Sequence, residues 1–85
     1  MGCRPDRCCV KVHLGGHLNW YDPQKRARFE LEIQPGMRLD ALIAMLGIPA
    51  GEAALALLNG SLADPATTCL GNGDYVELFP PSSGG

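Results

Sequence analysis

The last six residues of the chain, PPSSGG, have the composition best suited to chemistry. Pro80 and Pro81 lack amide donors and cannot continue a β-sheet, so they direct the backbone into an extended, polyproline-like path. Six extended residues reach roughly 20 Å, at about 3.3 Å each. Gly84 and Gly85 carry no side chain, as a narrow active-site channel would require. These residues are compatible with a thin tail that ends in the carboxylate of Gly85, but taken alone, serines and glycines at a chain end are more typical of simple disorder.

Other candidate reactive residues are weaker. His13 and His17 are four residues apart, but on a strand and its following loop this spacing does not bring two imidazoles together, so no metal site is predicted. Cys69 has no nearby base in the sequence, which favours a small buried apolar residue over a nucleophile. The GNG of residues 71–73 begins like a dinucleotide-binding motif but lacks its third glycine and its helix, so we interpret it as a turn.

The length and composition indicate one small cytoplasmic domain. A chain of 85 residues with 46% hydrophobic and 19% charged residues has enough apolar surface for a single core. An enzyme with its own deep pocket is therefore not expected. The chain has neither an apolar run long enough to span a membrane nor the apolar centre of a signal peptide.

The charges are distributed unevenly along the chain. All seven basic residues lie within residues 1–38, whereas residues 39–85 contain five acidic residues and no basic one. The half that carries the tail should therefore repel nucleic acid and attract a basic protein partner.

The hydrophobic pattern predicts the elements that position the tail. Alternation with a period of two predicts strands at Cys8–Leu14, 28–34, 54–58, 61–63 and Tyr75–Phe79. Between the second and third strands, the apolar residues Leu39, Leu42, Ile43 and Leu46 share one side of a short helix that Gly47 ends. In the 15–27 loop, Trp20 and Tyr21 are expected to hold a long hairpin connection, and Asn59-Gly60 predicts a type I′ turn.

This element order predicts an α+β fold, with one main helix packed on one face of a mixed sheet of four to five strands. We divide the chain into a flexible leader (1–7), a folded domain (8–79) and an extended tail (80–85). One helix cannot cover both faces of the sheet. Phe79 should therefore be partly exposed next to the tail, where it could serve as a docking point for a partner.

Four segments together resemble the MoaD/ThiS family of sulfur carriers, in particular the small subunit of molybdopterin synthase. They are LDALIAMLGIP, LLNG, GNGDYV and VELFPPSSGG, and the resemblance covers about residues 8–85. The most specific of them is FPP-x-x-GG, which runs from Phe79 to Gly85. The resemblance implies the ubiquitin-like β-grasp fold, in agreement with the element order.

The resemblance also implies the chemistry of the tail. In this family an E1-like enzyme of the MoeB/ThiF type uses Mg-ATP to adenylate the terminal carboxylate, and sulfur then replaces AMP to give a thiocarboxylate. Gly85 would carry the sulfur, Gly84 would thread the partner's site, and Phe79, Pro80 and Pro81 would dock. The chain itself would be no enzyme and would bind no cofactor, and the acceptor would be a protein such as the molybdopterin synthase large subunit.

Other roles are compatible with the same motif. The chain could be a ThiS-like carrier for the thiazole of thiamin, a carrier that serves a tungsten cofactor, or a ubiquitin-like modifier that is joined to lysines of target proteins. It could also be a plain β-grasp interaction module with an inert tail. The leader, with its CRPDRCC segment, has no counterpart in the family pattern.

Overall fold

The computed structural model describes residues 8–81, in which five strands form one mixed sheet. The strands are β1 (Cys8–Leu14), β2 (Arg28–Ile33), β3 (Leu55–Leu58), β4 (Ser61–Leu62) and β5 (Tyr75–Phe79), arranged in the order β2-β1-β5-β3-β4. The described residues also contain one α-helix, α1 (Leu39–Met45), and two short 3-10 helices, Leu18–Tyr21 and Ala50–Glu52. The α+β prediction is therefore confirmed, and each predicted strand is present.

The first and last strands lie side by side in the middle of the sheet. β1 pairs antiparallel with β2 and parallel with β5, and β5 pairs antiparallel with β3. The parallel pairing needs a long crossover between β1 and β5. The intervening chain, including α1, provides it.

The inner face of the sheet and α1 enclose the core. Val10 and Val12 of β1 and Val76 and Leu78 of β5 are each at most 1% exposed, because alternate residues of both strands point to the same side. From the helix, Leu39, Leu42 and Ile43 are buried against this face. The stripe predicted from the sequence is thus the packed side of α1, and Gly47 follows it with a φ of +79°.

A loop caps the helix by its backbone. The N-cap residue Arg38 makes no side-chain capping bond, but the amides of Leu39 and Asp40 donate to the carbonyls of Thr68 and Pro65 at 2.9 and 3.0 Å. The 64–70 loop therefore satisfies amide donors that a helix start leaves unpaired. Cys69 in this loop is exposed, which corrects the expectation that it is buried; its neighbour Leu70 is the buried residue, at 2% exposure.

The connection between β1 and β2 also differs from the prediction. Trp20 is 67% exposed and does not pack on the core; its ring contacts Lys25 of the same loop, whose Nζ lies 5.4 Å from the ring centroid. Leu18 is fully buried instead, and Tyr21 packs against the core. The spacing of three places these two side chains on the same side of the 3-10 turn.

Two segments lie outside the described residues: 1–7, predicted as the leader, and 82–85, which include Gly84 and Gly85. No helix in the 8–81 segment is both long and apolar enough to cross a membrane.

Candidate functional site

The candidate site begins where β5 ends and the tail starts. β5 ends at Phe79, and Pro80 and Pro81 follow outside any strand. Phe79 and Pro80 are half-buried and Pro81 is exposed. The predicted partial exposure of Phe79 is therefore observed, and the sheet ends where the first proline removes an amide donor.

Two glycines contact the first residues of the tail. A Cβ on Gly15 would overlap Cδ1 of Phe79 and would lie 2.5 Å from Cε1 of the same ring. A Cβ on Gly16 would lie 2.7 Å from Cγ and 3.0 Å from Cδ of Pro80. The amide of Gly15 donates to the carbonyl of Leu78 at 2.7 Å. The Gly15–Gly16 segment is thus fixed to β5 directly before the tail.

From the sequence, both glycines are expected only in a polar turn. One feature of the sequence could have identified these glycines: they directly follow β1, and β1 ends beside the tail. This feature can be recognised only when β1 and β5 are known to be parallel neighbours. In the parallel pair of β1 and β5, Leu14 lies beside Leu78, so Gly15, the residue after Leu14, lies beside Phe79.

The outer face of the sheet, opposite α1, carries a polar group close to Phe79. In the register, His13 lies beside Glu77 and Lys11 beside Tyr75. Oε2 of Glu77 is 3.4 Å from Nδ1 of His13 and 3.5 Å from the hydroxyl of Tyr75. The ring of His13 meets that of Phe79 edge to face, at 5.8 Å between centroids and 85° between planes.

The other side of Phe79 on this face is apolar. Leu55 lies directly beside Phe79, and Leu57 lies beside Glu77 and pairs with Leu62 of the edge strand β4. Leu55 is 41% and Leu62 is 74% exposed. Exposed leucines next to an aromatic residue form the kind of patch that a protein partner covers.

The loop next to the Gly15–Gly16 segment is held by a buried carboxylate. Oδ2 of Asp22 accepts from the amides of Gln24 and Arg26 and from Nε of Arg26, and Oδ1 accepts from Nη2 of Arg26, all at 2.9–3.0 Å. The Arg26 side chain and amide, with the Gln24 amide, hold the pKa of Asp22 well below its usual range, although burial opposes this shift. Asp22 in turn raises the pKa of Arg26.

The imidazoles of His13 and His17 are engaged by different carboxylates. Nε2 of His17 is 2.9 Å from Oε1 of Glu52, on the second 3-10 helix, whereas His13 faces Glu77. In the described part of the chain, no three His, Cys, Asp or Glu side chains are grouped in a way that could hold a metal ion.

A protein-family model for the ThiS family matches residues 19–85. The chain belongs to the ThiS family. The match extends from the first 3-10 helix to Gly85, so it includes β5, Phe79 and the double glycine.

Two solved structures are similar to this chain in fold. The solution structure of the Haloferax volcanii protein HVO 2177 is similar with a TM-score of 0.74 and 17% identity, covering 100% of this chain and 93% of that one. The crystal structure of SAMP1 from the same organism is similar with a TM-score of 0.67 and 24% identity, covering 91% and 99%. These two likenesses confirm the ubiquitin-like β-grasp fold.

A third structure is more similar in sequence. A chain in the complex of subunits 1 and 2 of the molybdopterin-converting factor from Helicobacter pylori is 29% identical, with a TM-score of 0.57, and the match covers 91% of this chain and 99% of that one. No curated protein sequence matches the chain.

Proposed function

We propose that this ThiS-family protein is the sulfur carrier of molybdopterin synthesis, with the carboxylate of Gly85 as its reactive group. The observation that carries the proposal is the 29% identity to a chain of the complex of molybdopterin-converting factor subunits 1 and 2, over nearly the full length of both chains. The family match through Gly85 supports the assignment of the tail as the working segment.

The proposed chemistry has two steps, both carried out by partner proteins. First, a carboxylate oxygen of Gly85 attacks the α-phosphorus of Mg-ATP, and pyrophosphate leaves. The resulting acyl adenylate is a better electrophile because it has lost the negative charge and gained a good leaving group. A hydrosulfide equivalent then attacks the carbonyl carbon, a C–S bond forms, and the C–O bond to AMP breaks. The product is a thiocarboxylate that can donate its sulfur.

In this scheme the chain acts as a co-substrate and not as an enzyme. It binds no cofactor of its own; the Mg-ATP is bound by an E1-like enzyme of the MoeB/ThiF type. We place the protein in the cytoplasm, where ATP is available to that enzyme.

The outer face is the proposed docking surface. Phe79, Leu55 and Leu62 provide apolar contact area close to the start of the tail. The acidic half of the chain, which contains no basic residue, favours a partner with a basic rim. The activating enzyme and the sulfur acceptor, a large subunit in this proposal, would both need this face.

Mass spectrometry of the protein isolated from its own cells tests the proposal. We expect a fraction of the chain to be about 16 Da heavier, the difference between sulfur and oxygen, with the added mass located at Gly85. The matched control lacks Gly84 and Gly85 and should show no such species. Conjugates between Gly85 and target lysines, without a thiocarboxylate, would instead identify a protein modifier.

A deletion strain distinguishes the two carrier pathways. Loss of the gene should abolish the activity of molybdenum enzymes and leave growth without thiamin unchanged. A requirement for thiamin, with molybdenum enzymes intact, would assign the protein to thiazole synthesis and contradict the proposal.

A further inference from the structure

We infer that Gly15 and Gly16 are positioning residues for the tail: their bare backbone supports Phe79 and Pro80 and so fixes the direction in which the tail leaves the domain. The inference rests on the proposed function, because it concerns how Gly85 reaches a partner's active site. It adds two residues from the opposite end of the sequence to the site.

At Gly15 the requirement for glycine is steric. Its φ does not lie in the left-handed region, so an alanine would be acceptable to the backbone. The added Cβ, however, would overlap the ring of Phe79 and would lie 3.2 Å from the carbonyl oxygen of Leu78. The Gly15 backbone cannot easily retreat, because it is buried and its amide is bonded to that carbonyl. The ring would therefore have to move.

At Gly16 there are two requirements. Its φ of +55° is unfavourable for residues with a side chain, and a Cβ would lie 2.7 Å from the Pro80 ring. Pro80 has a fixed φ, so its ring cannot turn away without moving the backbone of the tail. The two contacts act on consecutive residues, and together they restrict the first part of the tail.

A restricted exit lowers the entropic cost of inserting the tail into a channel. If Phe79 and Pro80 could take any direction, they would have to be ordered when the tail binds. In the folded domain their contacts have already removed that conformational freedom. The advantage concerns formation of the complex. Once the tail is inside the partner's site, the partner holds it.

The contact can be observed in the free protein. NMR should show nuclear Overhauser effects from the α-protons of Gly15 to the ring of Phe79, and from those of Gly16 to the ring of Pro80. Their absence would overturn the inference, whatever the function of the protein.

The functional test is ATP–pyrophosphate exchange with the adenylating enzyme of the same genome. We compare the intact chain, Gly15→Ala and Gly51→Ala. Gly51 is a matched control because a Cβ added there would meet no atom within 4 Å and its φ is not in the left-handed region. Gly15→Ala should raise the KM for the carrier by about tenfold and leave kcat within about twofold, since the loss is one of pre-orientation. Gly51→Ala should leave both unchanged.

A double-mutant cycle tests whether Gly15 acts through Phe79. In the Phe79→Ala background no ring remains to be displaced, so Gly15→Ala should add no further increase in KM. An additive increase would overturn the inference. If Gly15→Ala does not fold, Pro80→Ala replaces it, because that variant removes the ring above Gly16 and should raise KM in the same way.

The outcomes separate the two proposals. No exchange with the unmodified chain would contradict the proposed function, and with it the positioning role. If the unmodified chain supports exchange and its KM equals that of the Gly15→Ala variant, only the positioning role is overturned. A fall in kcat alone would overturn it as well, because it would place the effect in the chemical step.

Discussion

The contact between Asp22 and Arg26 shows how one residue can determine the shape of the loop between β1 and β2. Asp22 is 5% exposed and accepts four hydrogen bonds, two of them from backbone amides, across a turn of five residues. Burying a carboxylate is costly unless such bonds compensate it. The loop from Gly15 to Arg26 therefore depends on the ionised form of Asp22.

This dependence predicts a specific response to pH. The pKa of Asp22 is lower in the folded protein than in the unfolded chain, so its stabilising effect is complete above the ordinary aspartate pKa of about 4 and is lost as the pH falls toward the folded value. Asp22→Asn should lower the Tm at neutral pH, and the difference from the unmodified chain should shrink below about pH 4. Thermal unfolding followed by circular dichroism at several pH values measures it.

The control for this prediction is Asp64→Asn. Asp64 is exposed, and its Oδ1 accepts the amide of Ala66 at 3.0 Å, so it should cost less stability at neutral pH. Equal losses for the two variants, or a difference that persists at low pH, would contradict the special role of Asp22.

The sequence predicts some residues of the candidate site and not others. Phe79 follows from the alternation of β5 and from the proline after it. Gly15 does not, because its role depends on a ring more than 60 positions away in the chain. The sequence does not show that Trp20 is exposed, because large aromatic residues are usually buried; here Leu18 and Tyr21 fill the space over the core instead.

Among the elements, the β3–β4 hairpin is joined by the side chain of its turn to the strand that carries the tail. Asn59 and Gly60 have φ values of +52° and +87°, as the predicted type I′ turn requires. The side chain of Asn59 also donates to Oδ1 of Asp74 at 3.1 Å and accepts the amide of Tyr75 at 2.9 Å. The turn is thus bonded to the first residue of β5.

Replacing Asn59 should weaken this connection. Asn59→Asp keeps the acceptor for Tyr75 but places a second carboxylate against Asp74, so we expect a loss of about 1 kcal/mol in the free energy of unfolding at neutral pH. The loss should decrease near pH 4, where carboxylates begin to protonate. Asn59→Gly is the control, because it tolerates the positive φ and removes the hydrogen bonds without adding charge. Urea unfolding measures all three chains, and a loss independent of pH would contradict the explanation.

The elements themselves are largely predictable because their patterns are local. Alternation identifies β1 and β5 with their observed bounds, and the spacing of the apolar residues identifies the helix. The local pattern of a strand does not predict which strands pair with it. The position of β5 between β1 and β3 depends on how the inner face packs as a whole. Val76 lies beside Val12 of β1, and Leu78 lies beside Ala56 of β3.

For the whole molecule, the central question is whether one surface can serve two partners. The tail emerges at one place, beside Phe79 and the exposed leucines of the outer face. A partner that takes the tail into its active site must sit over this region. Under the proposed function, the complexes with the activating enzyme and with the sulfur acceptor should therefore exclude each other.

Adding the acceptor subunit to the adenylation reaction tests this exclusion. We expect inhibition that is competitive with respect to the carrier, because bound acceptor removes free carrier from the pool. An unrelated protein of similar charge provides the control. Formation of a ternary complex on a sizing column, or unchanged adenylation at saturating acceptor, would contradict a shared surface.

The central position of β5 also has a consequence for biosynthesis. β5 is the last of the five strands to leave the ribosome, and it is the strand that joins β1 to β3. The five-stranded sheet therefore cannot form while translation is still short of residue 75. A nascent chain or a product of premature termination would lack the strand that holds the two halves together. Such fragments would be unfolded substrates for quality-control proteases. They would also lack the assembled outer face to which the proposed activating enzyme binds.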